Sequence, residues 1–300
     1  MFHGLSAFPL TPMNEHHVND RELVNLIQRL VSARVDSIGV LGSTGNYAYL
    51  SRMERLRVLQ LAVSAAENTP VMTSISALRT LDVLHLAEDA QRAGASAVLL
   101  APVSYQTLTD DEVYLLYEQC TQSLSIPLCV YDNPGTTNFH FTDELHGRIA
   151  SLPHVRSIKI PGVPSNLEAA NVRINNLREL VPSHVTIGVS GDPFAATGLN
   201  AGCELWYSVL GGLFPKLCLR ITQVSLKGYS AEADQISTHI EPIWLLFRQY
   251  GSLRVIAAAA ELMGLISSPS LPLPLQPLNS SARDLLKSYL IEIDSMEKSY

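Results

Sequence analysis

From residue 4 to residue 228 the chain repeats one unit: a short β-rich run, a Gly or Pro turn, then a longer stretch with apolar residues at helical spacing. The runs that read as strands are residues 4 to 8, 37 to 42, 70 to 76, 96 to 101, 127 to 131, 155 to 160, 185 to 190 and 205 to 210. Helical periodicity follows each of them, at 20 to 34, 51 to 67, 80 to 93, 109 to 123, 142 to 151, 164 to 180, 192 to 201 and 213 to 228. Start signals support several of these helices: Asn19-Asp20, Ser51 with Glu54 three residues on, and Thr109 ahead of Asp110, Asp111 and Glu112. Strands that alternate with helices pair in parallel, and eight such units close into a (β/α)8 TIM barrel. A doubly wound open sheet is the competing arrangement. The repeat count favours the barrel, and no GxGxxG follows the first strand.

Residues 229 to 300 depart from the repeat and read as a C-terminal helical extension packed on the barrel formed by residues 1 to 228. Helical periodicity runs over 231 to 249, 252 to 265 and 280 to 297. Between the last two lies Ser-Pro-Ser-Leu-Pro-Leu-Pro-Leu-Gln-Pro-Leu, where the prolines impose an extended backbone. Its leucines predict a docked connector; the other reading is a recognition tail for a proline-binding module.

The sixth strand carries an unusual residue. Lys159, the first lysine of the chain, sits in Val-Arg-Ser-Ile-Lys-Ile-Pro-Gly. Side chains alternate across a strand, so Ser157 and Lys159 share one face while Ile158 and Ile160 share the other. Taking an ammonium out of water is costly, and a buried lysine tends toward the neutral, nucleophilic amine that a Schiff base with a carbonyl substrate needs. The bland reading is a lysine at a strand end whose head reaches solvent.

Chemistry in a parallel barrel belongs at the carboxyl ends of the strands, and two further ends stand out. After the second strand comes Gly42-Ser43-Thr44-Gly45-Asn46, a tight turn whose N-H groups and hydroxyls suit a carboxylate, or which simply caps the next helix. After the fifth comes Tyr131-Asp132-Asn133-Pro134-Gly135-Thr136-Thr137, which puts a phenol where it relays protons or packs with a satisfied hydroxyl. Neighbouring strands lie side by side, so Tyr131 and Lys159 come within reach of each other.

Composition narrows the partners. With 300 residues, 47% of them hydrophobic, the chain can bury a large core. The net charge of -7, with no basic run, argues against nucleic acid and anionic membranes, leaving small molecules. Cys120, Cys129, Cys203 and Cys218 show no CxxC spacing and read as small hydrophobes in a reducing compartment. The N-terminus lacks the basic start of a signal peptide and no apolar run is long enough to span a bilayer, so a cytoplasmic location is the expectation. The nine histidines form no HExxH or other compact metal signature, so no metal is expected.

Taken together, Gly-Ser-Thr-Gly after the second strand, Tyr-x-x-Pro-Gly-Thr-Thr after the fifth and Ile-Lys-x-x-Gly at the sixth resemble the dihydrodipicolinate synthase and N-acetylneuraminate lyase family. Order and spacing both match. The similarity extends over essentially the whole chain, including Ala-Phe-Pro-Leu-Thr-Pro at 7 to 12 and Ser-Gly-Asp at 190 to 192. The resemblance implies a class I aldolase or lyase that works without metal or cofactor, through a covalent imine on Lys159. Its substrates would be pyruvate or another 2-keto acid plus an aldehyde, and its assembly a homotetramer or homodimer. By the same resemblance Tyr131 shuttles protons, and Thr44 joins Lys159 and Tyr131 as a catalytic residue. Ser43, Thr44, Gly45, Thr136 and Tyr207 would hold the substrate. Dehydration of a 2-keto-3-deoxy sugar acid through the same imine, or non-catalytic binding of a keto acid, are the alternative readings. An aldo-keto reductase would need a nicotinamide site, and no basic cluster for its phosphate is evident.

Four departures from the family pattern bear on the partner. Thr136 occupies the place where dihydrodipicolinate synthases typically carry an arginine for the second substrate's carboxylate. Asn46 replaces the usual glutamate. Ser104 falls where the synthases have a relay tyrosine given to a neighbouring subunit, and Tyr105, one residue later, is the candidate substitute. Trp206 and Tyr207 put two large aromatics near the imine position, where a reshaped pocket is expected.

Overall fold

A computed structural model describes residues 1 to 300. Eight strands close a barrel in sequence order, β1 to β8, every neighbouring pair parallel. They are β1 Gly4–Ala7, β2 Ser37–Val40, β3 Val71–Ser74, β4 Ala97–Leu100, β5 Leu128–Tyr131, β6 Val155–Ile160, β7 Thr186–Val189 and β8 Leu205–Ser208. All eight fall within the runs read from the sequence. The second strand stops early because Leu41 turns to φ 58°, which ends pairing and starts the Ser43-Thr44 loop.

The helices are α1 Asp20–Ala33, α2 Arg52–Ala65, α3 Thr80–Arg92, α4 Asp110–Gln122, a single turn α5 Pro134–Thr137, α6 Asp143–Ala150, α7 Leu167–Leu180, α8 Ala195–Asn200 and α9 Pro215–Leu226. The C-terminal region adds α10 Ser230–His239, α11 Glu241–Tyr250, α12 Ser252–Leu262 and α13 Ser280–Ser299. The expected caps are present. Asn19 accepts from the Glu22 amide, and both Ser51 with Glu54 and Thr109 with Glu112 form reciprocal capping boxes.

Three features of the helices depart most from the sequence reading. The single helix expected over 231 to 249 is two, because Pro242 lacks the amide proton that a continuous helix would need there. The helix expected from 192 begins with a 3-10 turn over Asp192–Phe194 that contains Pro193. The turn α5 went unforeseen inside the tyrosine loop.

Alternation sorts the strand side chains into two cores. Outward-facing residues and the inner helix faces make a continuous core of 78 buried residues that also takes in α10 to α13. Inside the barrel a second cluster of nine includes Phe8, Met72, Leu99, Cys129, Tyr131 and Tyr207. The proline-bearing connector is docked through Leu271 and Leu278, both buried, whereas Leu273 remains exposed. The Ser267 amide donates to Glu22 and the Leu273 amide to Glu15, tying the connector to the first turn of α1 and to the loop before it. No helix is long and apolar enough to cross a membrane. All four cysteines are free and buried.

Candidate active site

In β6 the alternation holds as read: Ser157 and Lys159 turn into the barrel, while Ile158 and Ile160 enter the outer core. Lys159 is only 4% exposed. Its Nζ makes no ion pair and no hydrogen bond within the protein, and aromatic faces surround it instead. It lies 3.9 Å from the centroid of the Tyr131 ring, 4.3 Å from that of Phe8 and 5.6 Å from that of Tyr207. Phe8 reaches this place because β2 and the loop after it offer glycines beneath it: a Cβ on Gly39 would lie 2.3 Å from the ring, and one on Gly42 2.8 Å. The amine therefore faces open space with no counter-charge bound to it.

Tyr131 pairs directly with Lys159 across the β5–β6 ladder. Its phenol oxygen accepts a hydrogen bond from Asn133 Nδ2 at 2.8 Å and shares a proton with Ser43 Oγ at 3.2 Å. Ser43 and Thr44 line the same cavity, and Thr44 is buried. Gly45 is not part of the wall. Its role is to close the turn: a Cβ there would come within 2.7 Å of the Leu41 amide nitrogen, and its carbonyl accepts from Thr11 Oγ1 at 2.7 Å. Thr136 does line the cavity, as a short neutral side chain on the exposed turn α5.

Behind Tyr131 the next residue points the other way. Asp132 is buried, 3.5 Å from Nε2 of the fully buried His146 on α6. Burial pushes the Asp132 carboxyl up to about 7 and the His146 imidazole down to about 4, so both favour their neutral forms.

The two aromatics of β8 face opposite ways, which corrects the expectation that both crowd the imine position. Trp206 belongs to the outer core, where its indole N-H donates to Asp192 at 2.9 Å. Only Tyr207 faces inward. Its ring forms part of the wall, but its hydroxyl turns down the barrel to Ser157 Oγ at 2.6 Å and Cys129 Sγ at 3.2 Å. Tyr207 thus supplies surface and no unbonded hydroxyl. Asp192 follows the Ser190-Gly191 turn and accepts from the indole N-H of Trp206 and from the amides of Val209 and Leu210. Burial pushes its carboxyl up to about 6, opposed by these bonds and by the charge of Lys159.

These residues enclose a cavity of about 340 Å3 at the carboxyl end of the barrel. Phe247 and Arg248 of α11 and Ser252 at the start of α12 complete its mouth, so the C-terminal helices contribute to the site as well as to the core. The sequence reading missed these three, because nothing in a helical period tells which end of a barrel the helix covers. It also missed Phe8 and Asn133 as wall residues, although both lie inside quoted motifs. Tyr105 lies outside the cavity and is 91% exposed. No group of three or more His, Cys, Asp or Glu side chains is placed to hold a metal ion.

Comparison with known proteins matches this chain to one family. The model of the dihydrodipicolinate synthetase family matches residues 1 to 293. A 4-hydroxy-tetrahydrodipicolinate synthase from Rickettsia prowazekii is 25% identical over 295 residues, covering 98% of each chain. One from Shewanella piezotolerans is 28% identical over 291 residues, covering 95% of this chain and 96% of its own. The crystal structure of a dihydrodipicolinate synthase from Agrobacterium tumefaciens superposes with a TM-score of 0.94 at 40% identity, covering 97% of this chain and 98% of that one.

Proposed function

The chain belongs to the dihydrodipicolinate synthetase family and is a lyase of the class I aldolase type; we propose that it makes or breaks a carbon-carbon bond next to a pyruvyl unit through an imine on Lys159. The observation that carries this reading is the amine of Lys159, buried without an ion pair and stacked against the ring of Tyr131.

The neutral amine attacks C2 of the 2-keto acid, and the carbinolamine loses water to give an iminium ion. The Tyr131 phenol supplies the proton that leaves with that water, in a shuttle whose other stations are Ser43 Oγ and the substrate oxygen. Ser43 and Thr44 hold the carboxylate of the keto acid. With the iminium as electron sink, C3 gives a proton to the Tyr131 phenolate and becomes an enamine, which attacks the aldehyde carbon while the phenol returns that proton to the aldehyde oxygen. In the reverse direction Tyr131 takes the proton of the C4 hydroxyl, the C3–C4 bond breaks with its electron pair entering the enamine, and the phenol then protonates C3 to restore the iminium. Water then hydrolyses the iminium, returning the ketone and the neutral amine. No cofactor takes part, because the imine itself is the electron sink. The expected substrates are pyruvate or a close 2-keto acid and an aldehyde.

Incubation with pyruvate and borohydride, followed by mass spectrometry, tests this. A reduced pyruvyl adduct on Lys159, absent from Lys159→Ala, is the expected result. Folded wild-type protein that gains no adduct would contradict it.

A further inference from the structure

We infer that Arg248 of α11 selects a partner that carries a second carboxylate, at the end remote from the imine carbon. The inference rests on the imine reading above. Lys159 and Arg248 are the only cationic side chains among the residues that line the cavity, and Asp192 is the only anionic one. Asp192 is committed: its carboxylate accepts from one indole and two amide N-H groups. The positive charge of Lys159 passes to the iminium and is fixed at C2, and the keto acid's own carboxylate goes to Ser43 and Thr44. A second anionic end therefore has one cation left to meet.

The guanidinium is available for that role. Arg248 donates through Nη2 to Glu241 and makes no other hydrogen bond, which leaves most of its five N-H donors unused. Its side chain is 51% exposed and that of Glu241 48%. An ion pair this exposed is held weakly, so a substrate carboxylate that desolvates the mouth can displace or join it. A planar fork of donors suits a carboxylate bidentately. The neighbours fit the rest of such a chain: Phe247 offers an apolar wall and Ser252 a hydroxyl. Thr136, on the opposite loop, is neutral, and its hydroxyl is turned back toward the Asn133 carbonyl at 3.4 Å. Charge recognition thus comes from the C-terminal region, on a different element from the tyrosine loop.

Matched pairs of 2-keto acids test the inference by binding, without requiring turnover. 2-Oxoglutarate is compared with 2-oxopentanoate, and 2-oxoadipate with 2-oxohexanoate; each pair differs only in the far carboxylate. Calorimetric titration of the wild type should show at least one diacid binding about tenfold to a hundredfold tighter than its monoacid. Arg248→Met should bring that pair to within about twofold and leave monoacid affinity in place, while Arg248→Lys retains part of the preference. Equal affinities within both pairs in the wild type, or a loss of the same size for diacid and monoacid in Arg248→Met, would overturn the role of Arg248. Borohydride trapping of pyruvate on the same samples reads the imine separately. An intact adduct without diacid preference removes only Arg248, whereas diacid preference without an adduct removes only the imine.

Discussion

The side-chain amide of Asn133 donates to the phenol oxygen of Tyr131 across 2.8 Å, from the loop that follows β5 back to the last residue of that strand. Because the amide is a donor here, the Tyr131 oxygen accepts from it, and its own proton points toward Ser43 or a substrate oxygen. In the proposed mechanism the amide would thereby orient the shuttle and face the oxygen that takes up negative charge when the phenol gives its proton away. Asn133 is a positioning residue in this scheme. Asn133→Ala is expected to lower kcat by about tenfold to a hundredfold, with the KM for pyruvate changed less than about threefold. Gln does not rescue, being one methylene too long for a 2.8 Å contact from the same backbone. Steady-state kinetics check this; a change in KM alone would mean that Asn133 holds substrate and does not orient Tyr131.

Trp206 supports the site from outside the barrel. Replacing it with Phe removes the indole donor to Asp192 and leaves that oxygen with the Val209 amide alone. The expected cost is about 1 to 3 kcal/mol of stability. The order of preference across a panel of aldehydes should not change, because Trp206 does not touch the cavity. Denaturant unfolding reads the first effect and relative rates the second; altered selectivity would put the indole's influence inside the pocket after all.

Phe8 and Gly39 are complementary. A Cβ at position 39 would overlap three atoms of the Phe8 ring, the nearest at 2.3 Å, so Gly39→Ala must push the ring away from its place against Lys159. Overpacking of this kind costs about 1 to 3 kcal/mol. The accompanying prediction is slower trapping of pyruvate on Lys159, and Gly39→Ala combined with Phe8→Leu should recover stability, since the smaller side chain leaves room for the methyl group. A double variant no more stable than the single one would show that the strain lies elsewhere.

Much of the fold and the inward placement of Lys159 were legible because they depend on local period. Lys159 stands between two outward isoleucines, and the period of two alone puts it on the inner face with Ser157. The same rule, applied to Trp206 and Tyr207, requires that only one of these neighbours face inward; register with β1 and β7 decides that it is Tyr207. Arg248 was not legible. Its place at the cavity follows from how α11 folds back over the barrel mouth after the break at Pro242, and that is a matter of tertiary packing with no trace in helical spacing. The family resemblance implies a substrate contact for Gly45, and the structure adds a reason that no motif states: the turn needs glycine there for backbone clearance.

The buried pair behind Tyr131 has a consequence for stability against pH. Folded Asp132 titrates near 7, above its ordinary value near 4, so between about pH 4 and pH 7 the folded state holds a proton that the unfolded chain has released. That share of stability grows as pH falls. Folded His146 titrates near 4, below its ordinary value, so between about pH 4 and pH 6.5 the folded state lacks a proton that the unfolded chain has taken up. That share is lost as pH falls. Over about pH 4.5 to 6.5 the extra proton on one residue matches the missing proton on the other, and the two slopes cancel. Removing either partner should expose the slope of the one that remains. Relative to wild type, His146→Gln is expected to gain about 1.4 kcal/mol of unfolding free energy per pH unit as the pH is lowered through that window. Asp132→Asn is expected to lose about the same amount per unit. Urea unfolding at half-unit intervals measures all three proteins, and three parallel curves would show that the pair does not exchange protons with folding.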